Sequence, residues 1–288
     1  MDIGIGLPSI NPAATPAQLL EFARTAERRG FSSLAVIDRL VYGNTEPLVT
    51  LGAAAAVTER IKLLTSILLV PFRANGALLA KQAATVDHLS GGRLVLGMAV
   101  GGYRDDFDAS GVPFEQRGRR FDAMLEDMTR IWAGESRGFA GAIGPAGPGR
   151  DQLVFGGSSA KAYARVARWG GGWIGGARGV EAFRAGAAEV RREWTEQGRD
   201  GAPRLLALPY FALGPDARRT AEAYLTDHYA IEGEAAQQLA ATALTDADAV
   251  REAVAAYEQA GCDELVLFPC DPDPRQAELL ADVVGLGA

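Results

Sequence analysis

Eight short apolar runs of strand type alternate with longer stretches of helical type along the 288-residue chain. Several of these runs end in glycine or in a polar residue. The alternation predicts a parallel (β/α)8 barrel, an α/β fold in which the chemistry takes place in the loops that follow the strands. The runs span residues 2–7, 33–38, 62–69, 93–100, 153–157, 172–175, 204–211 and 263–269.

Helix start and stop signals between the runs support this alternation. Thr15 and Gln18 form a capping-box pair around Pro16, and Gly30 stands where a left-handed helix stop is expected. Further helices are predicted over residues 47–57, 77–89, 114–133 and 160–169, with two more starting near residues 245 and 273.

The seventh run is followed by an unusually long segment before its helix. The run ends near Phe211, and the next helical pattern begins only at Thr245. We therefore predict a helical insertion over residues 214–244 within one domain that covers residues 1–288. Such an insertion can form a lid or wall over the pocket, or a peripheral or oligomer-contact element.

Composition narrows the class of protein. A net charge of −7 argues against nucleic-acid binding, which requires clustered Lys and Arg. Cys262 and Cys270 lack the spacing of a zinc site and are expected to be reduced, so we predict no metal centre. The absence of a long apolar stretch and of a signal-peptide pattern predicts a cytoplasmic protein that does not interact with a membrane.

The fifth run leads directly into a helix through Gly156, Gly157, Ser158 and Ser159. Glycines allow close backbone approach, and the helix N-terminus with its two hydroxyls favours an anion such as a phosphate ester. The alternative is that the serines only cap the helix.

Other polar residues are weaker candidates. Asp38 ends the second run, where it has either a functional role or a salt bridge to Arg39 or another arginine of the same rim. His88 is expected at the opposite end of the barrel. His228 lies in the insertion and is the one imidazole able to reach the pocket, although we expect it on the surface.

Five phrases in their order and spacing resemble the bacterial-luciferase-like superfamily of flavin- and deazaflavin-dependent oxidoreductases. The likeness covers nearly the whole chain and implies a (β/α)8 fold with an insertion after strand 7. The phrases are residues 26–31, 58–63, 80–93, 101–107 and 155–159.

The resemblance also implies a site. FMN or coenzyme F420 would lie at the carboxyl face of the barrel, against a bulge that contains a non-prolyl cis peptide at Ser66–Ile67. Asp38 matches a position that contacts the hydroxylated ring edge in deazaflavin members. The implied cofactor-binding residues are Asp38, Ser66, Ile67, Ala99, Val100, Gly156, Gly157, Ser158 and Ser159.

The chain departs from many of these relatives after the acidic residue of strand 2, where they carry histidine. Here Arg39 follows Asp38, and these two residues are the candidate catalytic pair. Arg39 could bind an anionic substrate, stabilise reduced flavin or pair with Asp38.

We therefore expect a flavin-dependent oxidoreductase or monooxygenase that uses FMN on a small organic substrate, forms a homodimer and can receive reduced FMN from a flavin reductase. An F420-dependent dehydrogenase or reductase is the close alternative. A non-catalytic flavin-binding protein is a third hypothesis.

Overall fold

Parallel strands close into a barrel in the computed structural model, which describes residues 1–287. The strands are β1 (Asp2–Gly6), β2 (Ser33–Val36), β3 (Lys62–Thr65), β4 (Leu68–Leu69), β5 (Leu94–Ala99), β6 (Leu153–Gly156), β7 (Gly172–Gly175), β8 (Arg204–Ala207), β9 (Tyr210–Phe211) and β10 (Glu264–Pro269). Neighbouring strands pair in parallel, and β1 pairs with β10 to close the sheet. Because β3 with β4, and β8 with β9, each form one interrupted barrel strand, the predicted eight-stranded (β/α)8 barrel is confirmed.

Helices surround this barrel. They are α1 (Pro16–Arg29), α2 (Pro47–Ala55), α3 (Gly76–Leu89), α4 (Arg104–Ser110), α5 (Arg117–Trp132), α6 (Ala160–Trp169), α7 (Val180–Glu196), α8 (Ala217–His228), α9 (Glu234–Ala241), α10 (Ala247–Gln259) and α11 (Arg275–Val284). Among residues 1–287, no helix combines the length and the apolar character that a membrane crossing requires.

Most helix boundaries agree with the sequence signals. The capping box at Thr15 is present, and Gly30 ends α1 in the left-handed conformation. Three starts differ by two or more residues from expectation, one of them that of α11, which begins at Arg275. The Asp246 side chain caps α10 by accepting a hydrogen bond from the Ala249 amide. The helix therefore begins at Ala247, two residues after Thr245. A 3-10 turn occupies residues 114–116, so α5 begins only at Arg117.

The insertion predicted over residues 214–244 is helical. It consists of α8 and α9, joined by a short 3-10 turn. After α9 the chain returns to the barrel, where the Leu244 amide donates to the Tyr210 carbonyl at 2.9 Å. The insertion therefore starts and ends at the carboxyl end of the seventh barrel strand.

Aliphatic side chains fill the barrel interior. They come from successive strands and are almost fully buried: Ala35, Leu64, Val95, Val154, Ile174, Leu206 and Val266. Buried side chains of the insertion, including Ala221 and Leu225, belong to the same continuous apolar cluster. The insertion thus packs directly on the mouth of the barrel, and the candidate site lies at this end.

Candidate active site

The third barrel strand is interrupted by the peptide Ser66–Ile67, which is cis, as the resemblance implies. Leu64 pairs with Val95, and Leu68 pairs with Met98. From Leu64 to Leu68 the chain advances four residues, while its neighbour advances three from Val95 to Met98. The third barrel strand therefore contains one extra residue, which defines a β-bulge. The extra residue lies in the interruption between β3 and β4.

Ile67 lies between two apolar groups. It is half-buried and packs on the barrel interior and also on a second cluster that includes Ala99 and Phe107. Towards β6 its side chain lies over Gly156. A Cβ atom added to residue 156 would be only 2.6 Å from Ile67 Cδ1. Only glycine at position 156 leaves room for the Ile67 side chain in its observed position. The bulge and the end of the fifth barrel strand therefore meet at one rim.

The corner after β6 is open to solvent. Gly157 adopts a φ of +112°, and the Trp173 indole nitrogen donates to its carbonyl at 2.9 Å. Ser158 and Ser159 are exposed, and the Ser159 hydroxyl accepts from the Ala162 amide at 3.3 Å. The capping role is therefore present at Ser159, while the Ser158 hydroxyl has no such role.

Asp38 is buried and fixes the segment that follows the bulge. Its Oδ2 accepts from the Leu69 amide at 2.7 Å and from Arg73 Nη1 at 2.7 Å. Burial raises the pKa of the Asp38 carboxyl above its ordinary value, while the Arg73 charge and the Leu69 amide act in the opposite direction. Within residues 1–287, no hydrogen bond reaches the other carboxylate oxygen, Oδ1.

Arg39 forms ion pairs with carboxylates other than Asp38. Its Nε donates to Asp106 at 3.1 Å, and its Nη2 donates to Asp105 at 3.1 Å. The guanidinium also lies 3.9 Å above the Tyr103 ring. The idea of an Arg39–Asp38 pair is therefore wrong. Two acidic neighbours already compensate the charge of Arg39, so an anionic substrate gains little from it.

Sequence reasoning missed Asp106, whose side chain is fully buried. Its Oδ1 accepts from the Leu40 and Val41 amides at 3.0 and 2.7 Å, so it shapes the loop after β2 as well as holding Arg39. Its signal was its place shortly after the fourth barrel strand, within the phrase 101–107. Arg73, the partner of Asp38, was anticipated only as an unspecified arginine of the rim.

Hydrogen bonds tie the insertion to the barrel loops. The Tyr103 hydroxyl donates to Glu232 at 2.9 Å, and the Tyr42 hydroxyl donates to Asp227 at 2.6 Å. The Tyr210 and Tyr229 hydroxyls lie 2.7 Å apart. These contacts favour the interpretation of the insertion as a wall of the site.

The expected surface position of His228 is wrong, because the residue is buried with 4% of its surface exposed. Its ring packs edge-on against Tyr42 and Tyr229 and stacks on Tyr224. Burial lowers the pKa of His228 to about 4, and the nearby positive charge of Arg39 acts in the same direction. His228 is therefore a neutral imidazole at pH 7. His88 lies at the end of α3, as expected, and its side chain is exposed.

A cavity of about 500 Å³ lies between the loop after β7 and the insertion. Gly176 and Arg178 line one side, and Tyr229 and Glu232 line the other. Arg178 is exposed and forms no ion pair with the described part of the chain. Sequence reasoning did not single it out, although an arginine three residues after a glycine-ended barrel strand was a usable signal. Elsewhere in residues 1–287, no cluster of three or more His, Cys, Asp or Glu could hold a metal ion.

Comparison with known proteins identifies relatives along almost the whole chain. The profile of a family described as luciferase-like monooxygenase matches residues 1–270. An uncharacterised protein of Mycobacterium tuberculosis is 33% identical over 192 residues, which cover 63% of this chain and 67% of the relative. The FMNH2-dependent dimethylsulfone monooxygenase of Pseudomonas putida is 26% identical over 225 residues, 72% of this chain and 61% of the relative.

Solved structures share the fold. An F420-dependent secondary alcohol dehydrogenase, in complex with an F420-acetone adduct, superposes with a TM-score of 0.78 and 18% identity over 99% of this chain and 98% of its own. The oxygenating constituent of 3,6-diketocamphane monooxygenase from Pseudomonas putida, in complex with FMN, superposes with a TM-score of 0.73 and 16% identity. The superposition covers 99% of this chain and 96% of that structure. At such identities the likeness establishes the architecture and leaves the cofactor open.

Proposed function

Because the chain belongs to the luciferase-like monooxygenase family, we propose that it is an oxidoreductase that holds a flavin-type ring at the carboxyl end of the barrel. Its substrate is a small organic molecule. The observation that carries the proposal is the contact between Ile67 of the bulge and Gly156 of the fifth barrel strand, with exposed hydroxyls starting two residues further on.

The residues at this rim fit such a ring and its phosphate. Ser66 Oγ is buried and meets no hydrogen-bond partner among the described residues, so it is available to a polar edge of a ligand. Gly156 and Ile67 provide a flat apolar support, since no Cβ rises from residue 156. Ser158, Ser159 and the N-terminus of α6 offer donors to a phosphate.

When bound, reduced FMN would supply two electrons to O2, one oxygen atom entering the substrate and the other leaving as water, whereas F420 would exchange a hydride with the substrate. The protein's part is to orient the ring, exclude water and position the substrate. The cavity of about 500 Å³ beside Arg178 and Tyr229 has the size of a small-molecule site. The insertion, held by Tyr103 and Tyr42, forms one wall of that cavity.

FMN is the cofactor of our leading hypothesis, and the Pseudomonas putida relative is named for its dependence on FMNH2. If FMN is used, a separate flavin reductase would supply its reduced form. We also expect a homodimer, which light scattering of the purified protein would detect.

A specific observation favours F420 as the second candidate. Asp38 is buried two residues after the end of β2, and its Oδ1 has no hydrogen bond within residues 1–287. The unbonded Asp38 Oδ1 can accept a hydrogen bond from a hydroxyl group on the edge of the F420 ring. FMN carries methyl groups on the corresponding edge and would leave Asp38 Oδ1 without a partner, which is costly for a buried oxygen.

Titration of the purified protein with FMN and F420, each oxidised and reduced, tests the proposal. We expect saturable binding of at least one of them, accompanied by quenching of its fluorescence. Binding of neither cofactor in either redox state would contradict the proposed function. Binding without any product above a control lacking protein, across a panel of small organic substrates, would instead favour a non-catalytic flavin-binding protein.

A further inference from the structure

A groove on the outer surface of the barrel carries an unusual charge. It lies between α5 and α6 and has a volume of about 550 Å³. Arg119 of α5 lines one wall, Lys161, Arg165 and Arg168 of α6 line the other, and Trp169 closes the far end. We call it the α5–α6 groove.

The positive charge of this groove stands out in an acidic chain. The protein has a net charge of −7, yet α6 contains three basic residues and no acidic one. Two acidic residues line the groove, and both are already paired. Asp122 accepts from Arg165 at 2.6 Å, and Glu115 accepts from Arg104 at 2.7 Å.

Three cations therefore lack a carboxylate partner within the described residues: Arg119, Lys161 and Arg168. The Arg168 guanidinium lies 4.4 Å from the centroid of the Trp169 ring, and Arg119 and Lys161 are exposed. Like charges that share a concave surface raise the local potential and attract an anion. The groove is thus suited to a ligand with several negative charges.

The groove begins beside the corner that we assign to the cofactor phosphate. Lys161 follows Ser159 by two residues and belongs to the first turn of α6. Lys161, Arg165 and Arg168 share one face of the helix, since their spacing is that of i, i+4 and i+7. At 1.5 Å per residue, this row extends about 10 Å away from the corner. A phosphate monoester ends at the corner and leaves the groove unused.

We propose that the α5–α6 groove binds a chain of carboxylates that continues from the phosphate of the cofactor. Coenzyme F420 has this chemistry, because its phosphate is a diester extended by glutamates, whereas FMN is a monoester. The inference rests on the proposed function and selects between its two cofactors. Arg119 and Lys161 hold the carboxylates by charge-assisted hydrogen bonds, and Arg168 serves the far end of the chain.

The test compares three ligands by fluorescence titration: F420 with its glutamates, the same deazaflavin ending at its phosphodiester without glutamates, and FMN. We expect the wild-type protein to bind the glutamate-bearing form about tenfold more tightly than the shortened form, as two to three exposed ion pairs would give. The advantage should shrink as salt is raised, since the contacts are exposed.

The variant Arg119→Ala/Lys161→Ala isolates the groove. It should lose most of this tenfold advantage and bind the shortened form as the wild type does. The matched control is Arg60→Ala/Lys62→Ala, which removes the same two residue types from exposed positions at the opposite end of the barrel and should change neither affinity. Circular dichroism confirms that both variants are folded.

Equal affinity of the wild type for the long and shortened deazaflavins would overturn the groove assignment. So would an advantage that survives in Arg119→Ala/Lys161→Ala, or tight binding of FMN alone. Each of these results leaves the proposed function intact. Failure of all three ligands to bind would instead contradict the proposed function itself.

Discussion

Ile67 Cδ1 occupies the position that forbids a side chain at residue 156, because a Cβ there would stand only 2.6 Å away. This relationship joins the bulge of the third barrel strand to the corner that follows the fifth. Their contact creates a flat apolar surface at the barrel mouth, next to exposed hydroxyls, and the proposed function depends on it.

Gly156→Ala is expected to push the tip of Ile67 into the space that we assign to the ring. Cofactor affinity should fall about tenfold, the effect of roughly 1.4 kcal/mol of overpacking. Stability should change little, since the displaced atom is the end of a flexible side chain. Titration gives the affinity, and urea unfolding gives the stability.

The double variant Gly156→Ala/Ile67→Val is the control for this effect. Valine lacks the Cδ1 atom that clashes, so affinity should return towards that of Ile67→Val alone. Wild-type affinity in Gly156→Ala would show that the ring does not rest on this surface.

Ser158→Ala and Ser159→Ala separate phosphate binding from helix capping. Together they should weaken cofactor binding by about 1–3 kcal/mol through lost hydrogen bonds to a charged group. Only Ser159→Ala should also lower the free energy of unfolding, by about 1 kcal/mol, because the Ser159 hydroxyl caps α6. Calorimetric titration and thermal unfolding measure the two effects.

Riboflavin, which lacks the phosphate, is the matched ligand for the serine variants if FMN is the cofactor. Its affinity should be the same in the wild type and in both variants. A phosphate-bearing cofactor that binds the double variant as tightly as the wild type would remove the corner from the site.

Arg73→Gln is expected to raise the pKa of Asp38 further. Burial already raises it, and the Arg73 charge is the largest influence that opposes this. The carboxyl should then become protonated at a higher pH than in the wild type, which infrared difference spectroscopy of the Asp38 carboxyl band would detect.

Glu46→Gln is the control for Arg73→Gln, because it should shift the pKa of Asp38 in the opposite direction. The Glu46 carboxylate raises the pKa of Asp38, and it is the weakest of the influences on it. Its removal should therefore shift the carboxyl titration slightly downwards. Shifts in the same direction in both variants would contradict the electrostatic account of Asp38.

The barrel was predictable because its signals are local. Each strand is an apolar run, and each helix has its own caps, such as Thr15 and Gly30. The cis peptide at Ser66–Ile67 and the corner at Gly156 came from the resemblance, whose phrases are contiguous in sequence. Their roles in binding a cofactor stay predictions.

The ion pairs of the rim were not predictable in the same way. Arg39 and Asp106 are 67 positions apart, and Asp38 and Arg73 are 35 apart. Which arginine meets which carboxylate depends on how the loops after β2, β4 and β5 fold over the mouth. Adjacent residues such as Asp38 and Arg39 suggested a pair, yet Asp38 bonds to Arg73 and Arg39 bonds to Asp105 and Asp106.

Burial of His228 was missed for a related reason. The amphipathic pattern of α8 shows which face is apolar but does not show what covers it. In the structure, Tyr42 and Tyr229 enclose the imidazole. The histidine thereby becomes a pH-sensitive part of the contact between insertion and barrel.

Acid should therefore destabilise the protein through His228. Burial lowers the pKa of this residue to about 4, whereas an unfolded histidine titrates near 6.5. The unfolded state thus binds the proton more readily, so this stabilisation is complete above about pH 6.5 and is lost as the pH falls towards 4. The difference of about 2.5 pH units corresponds to an upper limit of about 3 kcal/mol.

Urea unfolding between pH 4 and pH 8 measures this loss in the wild type and in two variants. His228→Phe keeps an aromatic ring without a titrating group and should flatten the curve between pH 6.5 and 4. His88→Gln removes the other histidine, which is exposed, and should leave the wild-type curve unchanged. Carboxylates that titrate in the same range affect all three proteins alike, so the difference between the His228→Phe and wild-type curves isolates the imidazole. Parallel curves for these two proteins would mean that His228 is accessible to protons in the folded state.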